Sequence, residues 1–205
     1  MATLYDIKPA FQARLRPLTA RLAASGVTAN QVTVAAMLMS VATGALLAVF
    51  PDEHALFFLL PLVLFVRMAL NAIDGMLARE FGQASTLGMY LNELADIVSD
   101  LALILPFALV APFAPAGVVS FAIAAILVEY AGVLGIPAGI GRNYAGPLGK
   151  SDRALVLGAI AVLVAIGIQL PHWLSWLFPL LALLSLITAI NRIRAGLVPN
   201  AQAGR

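Results

Sequence analysis

Long apolar runs divide this chain, and short polar breaks separate them. Runs fall at residues 31–50, 55–79, 86–110, 117–140, 154–170 and 173–193. Each is near the roughly 20 residues that a helix needs to cross a bilayer. None shows the strict alternation of a half-buried strand. The breaks are a Pro51-Asp52-Glu53-His54 turn, a polar loop at 80–86, Pro112 and Pro115, a glycine-rich basic loop at 139–153, and Pro171-His172. Residues 1–25 differ in pattern. Phe11, Leu15, Leu18 and Leu22 recur at helical spacing, while Lys8, Arg14, Arg16 and Arg21 fall largely on other faces. That pattern predicts an amphipathic helix lying on the membrane surface; the alternative is a solvated basic tail. Asp6, and the lack of an apolar core directly behind the basic residues, argue against a cleaved signal peptide. Gly26 is expected to end this helix, and Thr28 or Asn30 to cap the next. The predicted fold is an all-α integral membrane protein: six transmembrane helices, spanning 26–205, preceded by an amphipathic interfacial helix at 1–25.

Composition supports that class. The 205 residues are 62% hydrophobic and 11% charged, with a mean hydropathy of +0.99, which excludes an ordinary soluble domain. The absence of cysteine excludes disulfides and thiolate metal sites. The net charge of +2 matters less than its placement. With six spans, one side receives Lys8, Arg14, Arg16, Arg21, Arg79, Arg142, Lys150, Arg153, Arg192, Arg194 and Arg205, eleven of the twelve Lys and Arg residues. The opposite turns hold Asp52, Glu53 and His172. The positive-inside rule then places both termini in the cytoplasm, in a cell membrane, with Trp173 and Trp176 anchoring the far interface. No nucleic-acid partner is expected.

Against this apolar background, residues 71–100 carry five of the ten acidic residues: Asp74, Glu80, Glu93, Asp96 and Asp100. Polar and ionisable groups inside hydrophobic segments are costly and mark a site. Asn71 and Asp74 are three apart, Asn92 and Asp96 four apart, so each pair shares a helix face. Gly75, Ala78 and Gly88 lie between them, small residues that allow close approach of a ligand or another backbone. The site would lie near the cytoplasmic face.

These residues resemble the signature of the CDP-alcohol phosphotransferase family, D-x2-D-G-x2-A-R-x8-G-x3-D-x3-D. The chain has N-x2-D-G-x2-A-R-x8-G-x3-N-x3-D, matching at Asp74, Gly75, Ala78, Arg79, Gly88 and Asp96 with every spacing kept. The stretch Thr28-Ala29-Asn30-Gln31-Val32-Thr33 also resembles the T-P-N-x-[ILV]-T start of the family's first span. The resemblance implies a homodimeric membrane enzyme that transfers a substituted phosphate from a CDP-linked donor to an alcohol and releases CMP. It implies Mg2+ or Mn2+ held by Asp74 and Asp96 with Asn71 and Asn92, and Asp96 as the base for the acceptor hydroxyl. Asp74, Gly75, Ala78, Arg79 and Gly88 would bind the donor nucleotide, with Arg79 on donor phosphate.

Asn71 and Asn92 stand where the family pattern has aspartates, so the cluster carries two formal charges instead of four. Asparagine still offers a carbonyl oxygen. The enzyme is then active with altered metal demand, or uses Asp100 one turn on, or binds a nucleotide-lipid without transfer. Asp100 has a structural alternative as the buried partner of Arg67, for which Glu129 competes. Arg142, Lys150, Arg153 and Arg194 are acceptor-phosphate candidates, because Arg suits bidentate phosphate binding; the alternative is that they only fix topology. The leading expectation is transfer of a phosphatidyl group from CDP-diacylglycerol to a small polar alcohol, phosphorylated as in glycerol 3-phosphate or a polyol phosphate, in phospholipid synthesis. A small transporter is weaker, since no broken-helix pair or internal repeat is evident.

Overall fold

The computed structural model describes residues 4–197. Arg205, the ends of the two expected segments at 1–3 and 198–205, and the side chain of Lys8 lie outside the described residues. The described residues are helical throughout, with no strand. The helices are α1 (Leu4–Ala24), α2 (Ala29–Val49), α3 (Leu59–Glu80), α4 (Thr86–Ile104), α5 (Pro115–Val133), α6 (Lys150–Ala165) and α7 (Leu177–Leu197), with short 3-10 turns at His54–Phe58, Leu105–Leu109 and His172–Trp176.

Local chemistry sets several of these boundaries. Gly26 takes φ +78°, and the Gly26 and Val27 amides donate to the Ala23 and Leu22 carbonyls, each at 3.0 Å. This closes the C-terminus of α1 around a left-handed glycine. Thr28 and Gln31 then cap α2 reciprocally: the Gln31 amide donates to Thr28 Oγ1 (3.3 Å) and the Thr28 amide to Gln31 Oε1 (2.9 Å). Of the two expected caps, Thr28 takes the role. Ser85 caps α4, its Oγ accepting from the Gly88 amide at 3.0 Å. Asp152 accepts from the Gly149 amide at 3.0 Å, closing the start of α6.

Four helical stretches are long and apolar enough to cross a membrane: Ala29–Val49, His54–Glu80, Pro115–Val133 and His172–Leu197. The chain is thus an integral membrane protein by length and composition. The other two expected spans fall short for visible reasons. Glu93, Asp96 and Asp100 interrupt the apolar run of α4, and α6 has only 16 residues with Lys150, Asp152 and Arg153 in its first turn. The expected fourth span also ends early, at Val133; Gly135 and Pro137 follow within four residues, and a proline does not continue a helix.

The chain forms two compact units. The first comprises residues up to Ala42 with Leu62–Ser99; the second comprises Thr43–Pro61 with the residues from Asp100 onward. The first unit is built on Ala29, Val32, Ile73, Met76 and Leu77, with Leu15, Leu22, Ala23 and Val27 packed around them. Of the apolar residues read on α1, Leu15 and Leu22 pack against the start of α2 and the end of α3, while Leu18 is exposed.

In the second unit α5 packs along α7, and α6 against the His54–Phe58 turn. Its core is aromatic. Phe178 is fully buried and touches Phe107, Phe113 and Phe121, with ring centroids at 5.5, 5.0 and 5.8 Å. At the α5–α7 contact, a Cβ on Gly117 would sit 2.6 Å from Pro179 Cδ, so only glycine fits there. Phe178→Ala should cost about 3–5 kcal/mol. A marked drop in thermal unfolding temperature of the detergent-solubilised protein would show it; an unchanged temperature would contradict the packing described.

Candidate active site

In the first unit, α3 and α4 carry the polar cluster. Asp74 is 5% exposed, and its Oδ2 lies 2.7 Å from Thr33 Oγ1. The Thr33 hydroxyl also lies 3.1 Å from the Ala29 carbonyl, so the start of α2 holds the Asp74 carboxylate. The sequence reading places Thr33 in the T-A-N-Q-V-T stretch but gives it no partner. The threonine ending that stretch was the signal for a contact with the motif.

Asp96 is 6% exposed and Arg67 4%. Arg67 NH2 donates to the Asp96 carbonyl (3.1 Å) and to Asp96 Oδ1 (3.3 Å), and Asn71 Nδ2 donates to the same Oδ1 at 3.4 Å. Arg67 and Asn71 are one turn apart on α3, so they present one face to α4. The sequence pairs Arg67 with Asp100 or Glu129; the structure gives Arg67 a partner in the Asp96 carboxylate, and Asp100 and Glu129 share Arg153 as a partner. Asn92 is half-buried one turn before Asp96 on α4. Among the described residues no three His, Cys, Asp or Glu side chains converge as a metal group. The oxygen donors here are two carboxylates, Asp74 and Asp96, and the amides of Asn71 and Asn92.

The small residues behave differently from one another. A Cβ on Gly75 would lie 2.9 Å from Arg79 NH2, so the Arg79 guanidinium folds back over Gly75. A Cβ on Gly88 would lie 2.8 Å from Asn30 Oδ1, so this glycine lets α4 begin close to the start of α2. Ala78 packs against the apolar core of the unit. The loop after α3 is pinned by Gln83, whose Oε1 accepts from the Ala29 amide (2.7 Å) and whose Nε2 donates to the Val27 carbonyl (3.3 Å). Arg16 of α1 makes a two-pronged contact with Glu80, at 2.9 and 3.0 Å; the neighbouring carboxylate holds the Arg16 guanidinium above its ordinary value. The pair is exposed, so it orients α1 more than it stabilises.

In the second unit the basic residues do not form one open patch. Arg153 is 1% exposed, and its NH2 donates to Asp100 Oδ2 (2.7 Å) and Glu129 Oε1 (2.6 Å). Arg142 NH2 donates to the other Glu129 oxygen at 3.0 Å, and its guanidinium lies 5.3 Å from the Tyr144 ring centroid. Burial pushes the Arg142 guanidinium below its ordinary value, though a guanidinium stays charged at neutral pH. Lys150 is half-buried and Arg194 exposed. Arg192, read from sequence for topology, is buried and donates to the Val128 carbonyl (2.7 Å) and the Ala145 carbonyl (3.1 Å). Asn143 returns a bond to the Arg192 carbonyl (3.1 Å), and the Leu148 amide donates to Thr188 Oγ1 (3.0 Å). The glycine-rich loop is thereby strapped to α5 and α7, which fixes Arg142.

Comparison with known proteins gives the cluster its family. A family model described as CDP-alcohol phosphatidyltransferase matches residues 26–190. The chain is 47% identical over 200 residues to "Inner membrane protein YnbA" of Escherichia coli (strain K12), covering 98% of this chain and 99% of that one. It is 28% identical over 182 residues to an archaetidylinositol phosphate synthase of Pyrococcus horikoshii, covering 85% and 91%. Two crystal structures of the phosphatidylinositol phosphate synthase PgsA1 of Mycobacterium tuberculosis share the fold. The complex with manganese and citrate aligns with a TM-score of 0.72 at 22% identity, covering 92% of this chain and 91% of that one. The form with CDP-DAG bound aligns at 0.71 and 23%, covering 92% and 96%. The chain belongs to the CDP-alcohol phosphatidyltransferase family of enzymes.

Proposed function

We infer that the protein transfers a phosphatidyl group from CDP-diacylglycerol to a small hydroxylated acceptor and releases CMP. One observation carries this: Asp74 and Asp96, both buried, stand at two of the family's acidic positions on facing helices joined by the Asn71–Asp96 hydrogen bond. Family membership supports the reaction class. The CDP-DAG-bound structure of a neighbour with the same fold supports the donor.

Asp74 and Asp96 with the Asn71 and Asn92 amide oxygens form an all-oxygen donor set, which suits Mg2+ or Mn2+. With two carboxylates, and Arg67 beside one of them, the set fits one divalent cation better than two. A bound cation there would offset the negative charge of the donor pyrophosphate and of the departing CMP. The chain's own groups do the rest. Arg79, folded over Gly75, meets donor phosphate, and Gly88 keeps the start of α4 close. Asp96, fixed by Arg67 and Asn71, takes the proton of the acceptor hydroxyl. The acceptor oxygen bonds to the phosphorus that bears the diacylglycerol, the bond from that phosphorus to the bridging oxygen breaks, and that oxygen leaves on CMP. The sequence points to a phosphorylated acceptor of the glycerol 3-phosphate or polyol phosphate type. The internal pairing of Arg142 and Arg153 weighs against that finer choice.

Six spans remain the proposed topology. α4 and α6 would cross with their charged residues facing protein, α1 would lie on the interface, and both termini and the site would be cytoplasmic, in keeping with the positive-inside distribution. A homodimer is proposed on the family resemblance. A second reading, a member that binds nucleotide-lipid without transfer, is favoured by one contact. Asn71 donates to Asp96 where the pattern places a second carboxylate.

Three outcomes are expected. Purified protein with CDP-diacylglycerol, Mn2+ or Mg2+ and pooled alcohols should release CMP, and Asp96→Asn should slow release by roughly 10²-fold or more. No release from any pool, with donor binding intact, would favour the second reading. Asn71→Asp and Asn92→Asp should each tighten Mn2+ binding roughly tenfold, about 1.4 kcal/mol, read by electron paramagnetic resonance; unchanged affinity would remove these positions from the site. Because the chain has no cysteine, single cysteines report topology directly. One at Ser151 should react with an impermeant maleimide only from the cytoplasmic side and one at Glu53 only from the opposite side; the reverse pattern would overturn the orientation.

A further inference from the structure

Within the first unit, two side chains tie the motif segment to the start of α2, and neither is among the residues matched in the D-G-x2-A-R signature. The first turn of a helix leaves amide N–H groups without an intrahelical partner. Here the Ala29 amide donates to Gln83 Oε1 at 2.7 Å, and Gln83 Nε2 donates to the Val27 carbonyl at 3.3 Å. Gln83 lies in the loop after α3, so that loop grips the first turn of α2 through a donor and an acceptor at once. One turn along α2, Thr33 Oγ1 lies 3.1 Å from the Ala29 carbonyl and 2.7 Å from Asp74 Oδ2. A hydroxyl has one proton to donate. The nearer, charged carboxylate takes it in preference to the neutral carbonyl. The threonine rotamer that brings Oγ1 back toward the i−4 carbonyl is the one that aims it at Asp74. Both side chains are buried, Thr33 at 7% exposure and Asp74 at 5%.

These bonds close a ring. Gln83 holds Ala29, the turn that begins at Ala29 carries Thr33, Thr33 holds Asp74, and α3 runs from Asp74 back toward Gln83. Partners that hydrogen-bond a ligating carboxylate set its orientation, and losing one typically costs about 10–100-fold in metal affinity. We propose that Thr33 and Gln83 are positioning residues for the cation site: Gln83 locks the start of α2 so that the Thr33 hydroxyl holds Asp74 in the orientation that binds a divalent cation. This rests on the reading of Asp74 as a cation ligand. Gln83 acts through Thr33, so the two work in series.

The test uses the full-length protein in detergent with Mn2+ alone, read by electron paramagnetic resonance, and thermal unfolding of each variant. The variants are Thr33→Val, which keeps the shape and removes the hydroxyl, Thr33→Ser, which keeps the hydroxyl, Gln83→Leu, and the Thr33→Val/Gln83→Leu double variant. Thr33→Val should weaken Mn2+ binding by roughly tenfold, and Thr33→Ser should stay within about threefold of wild type. Gln83→Leu should weaken binding severalfold. The double variant should be no more than about twofold weaker than Thr33→Val alone, because residues acting in series are not additive. A merely structural role would lower unfolding temperatures and leave Mn2+ affinity where it was. Unchanged affinity in folded Thr33→Val would overturn the proposal, as would full additivity in the double variant. If Thr33→Val does not fold, Gln83→Leu decides alone: a severalfold loss supports the proposal and unchanged affinity overturns it. Wild type that binds no Mn2+ would overturn the cation reading and this proposal with it, whereas wild-type binding that Thr33→Val leaves unaltered overturns only this proposal.

Discussion

A carboxylate held in an apolar chain must have a partner, and this constraint organises the protein. Arg67 serves Asp96 in the first unit, and Arg153 serves Asp100 and Glu129 in the second. Each arginine is nearly fully buried. Removing one partner of such a pair leaves an uncompensated charge and generally costs ~3–5 kcal/mol. Both networks also draw on α4, where Asp96 and Asp100 lie one turn apart. That helix is not a plain apolar span, because it carries Glu93, Asp96 and Asp100.

The two networks differ in what they hold. Around Asp74 and Asp96, hydrogen bonds from Thr33, Arg67 and Asn71 aim carboxylates that would otherwise swing freely. Fixed oxygens of this kind favour catalysis because they need not reorganise as charge develops. Around Arg153 and Glu129, guanidiniums and carboxylates pair within the chain, and Arg192, Asn143 and Thr188 hold the glycine-rich loop that presents Arg142.

Much of this was legible before any coordinates. The helical class follows from apolar run length, and the motif spacing places Asn71, Asp74, Asn92 and Asp96 on two helix faces. Thr28 was one of the two residues expected to cap α2. What could not be read was partnership across helices. Arg67 was matched with Asp100 or Glu129 by depth along the spans; that Asp96 is also its partner depends on side-chain reach and helix rotation. Arg142 and Arg153 were read as phosphate candidates or as topological charges, and charge counting along the chain does not reveal that both contact Glu129. The fourth span was drawn to residue 140 on hydropathy, whereas the helix ends at Val133, with Gly135 and Pro137 just beyond it. Thr33 and Arg192 were visible only as a motif letter and a topogenic charge.

The most direct test of the central claim follows phosphorus. In 31P nuclear magnetic resonance of wild-type protein with CDP-diacylglycerol, Mg2+ and pooled alcohols, the two pyrophosphate signals of the donor should give way, in equal amounts, to the monoester signal of CMP and a new phosphodiester. Persistent pyrophosphate signals across acceptors would contradict phosphatidyl transfer, as would CMP accompanied by phosphatidic acid in place of a phosphodiester.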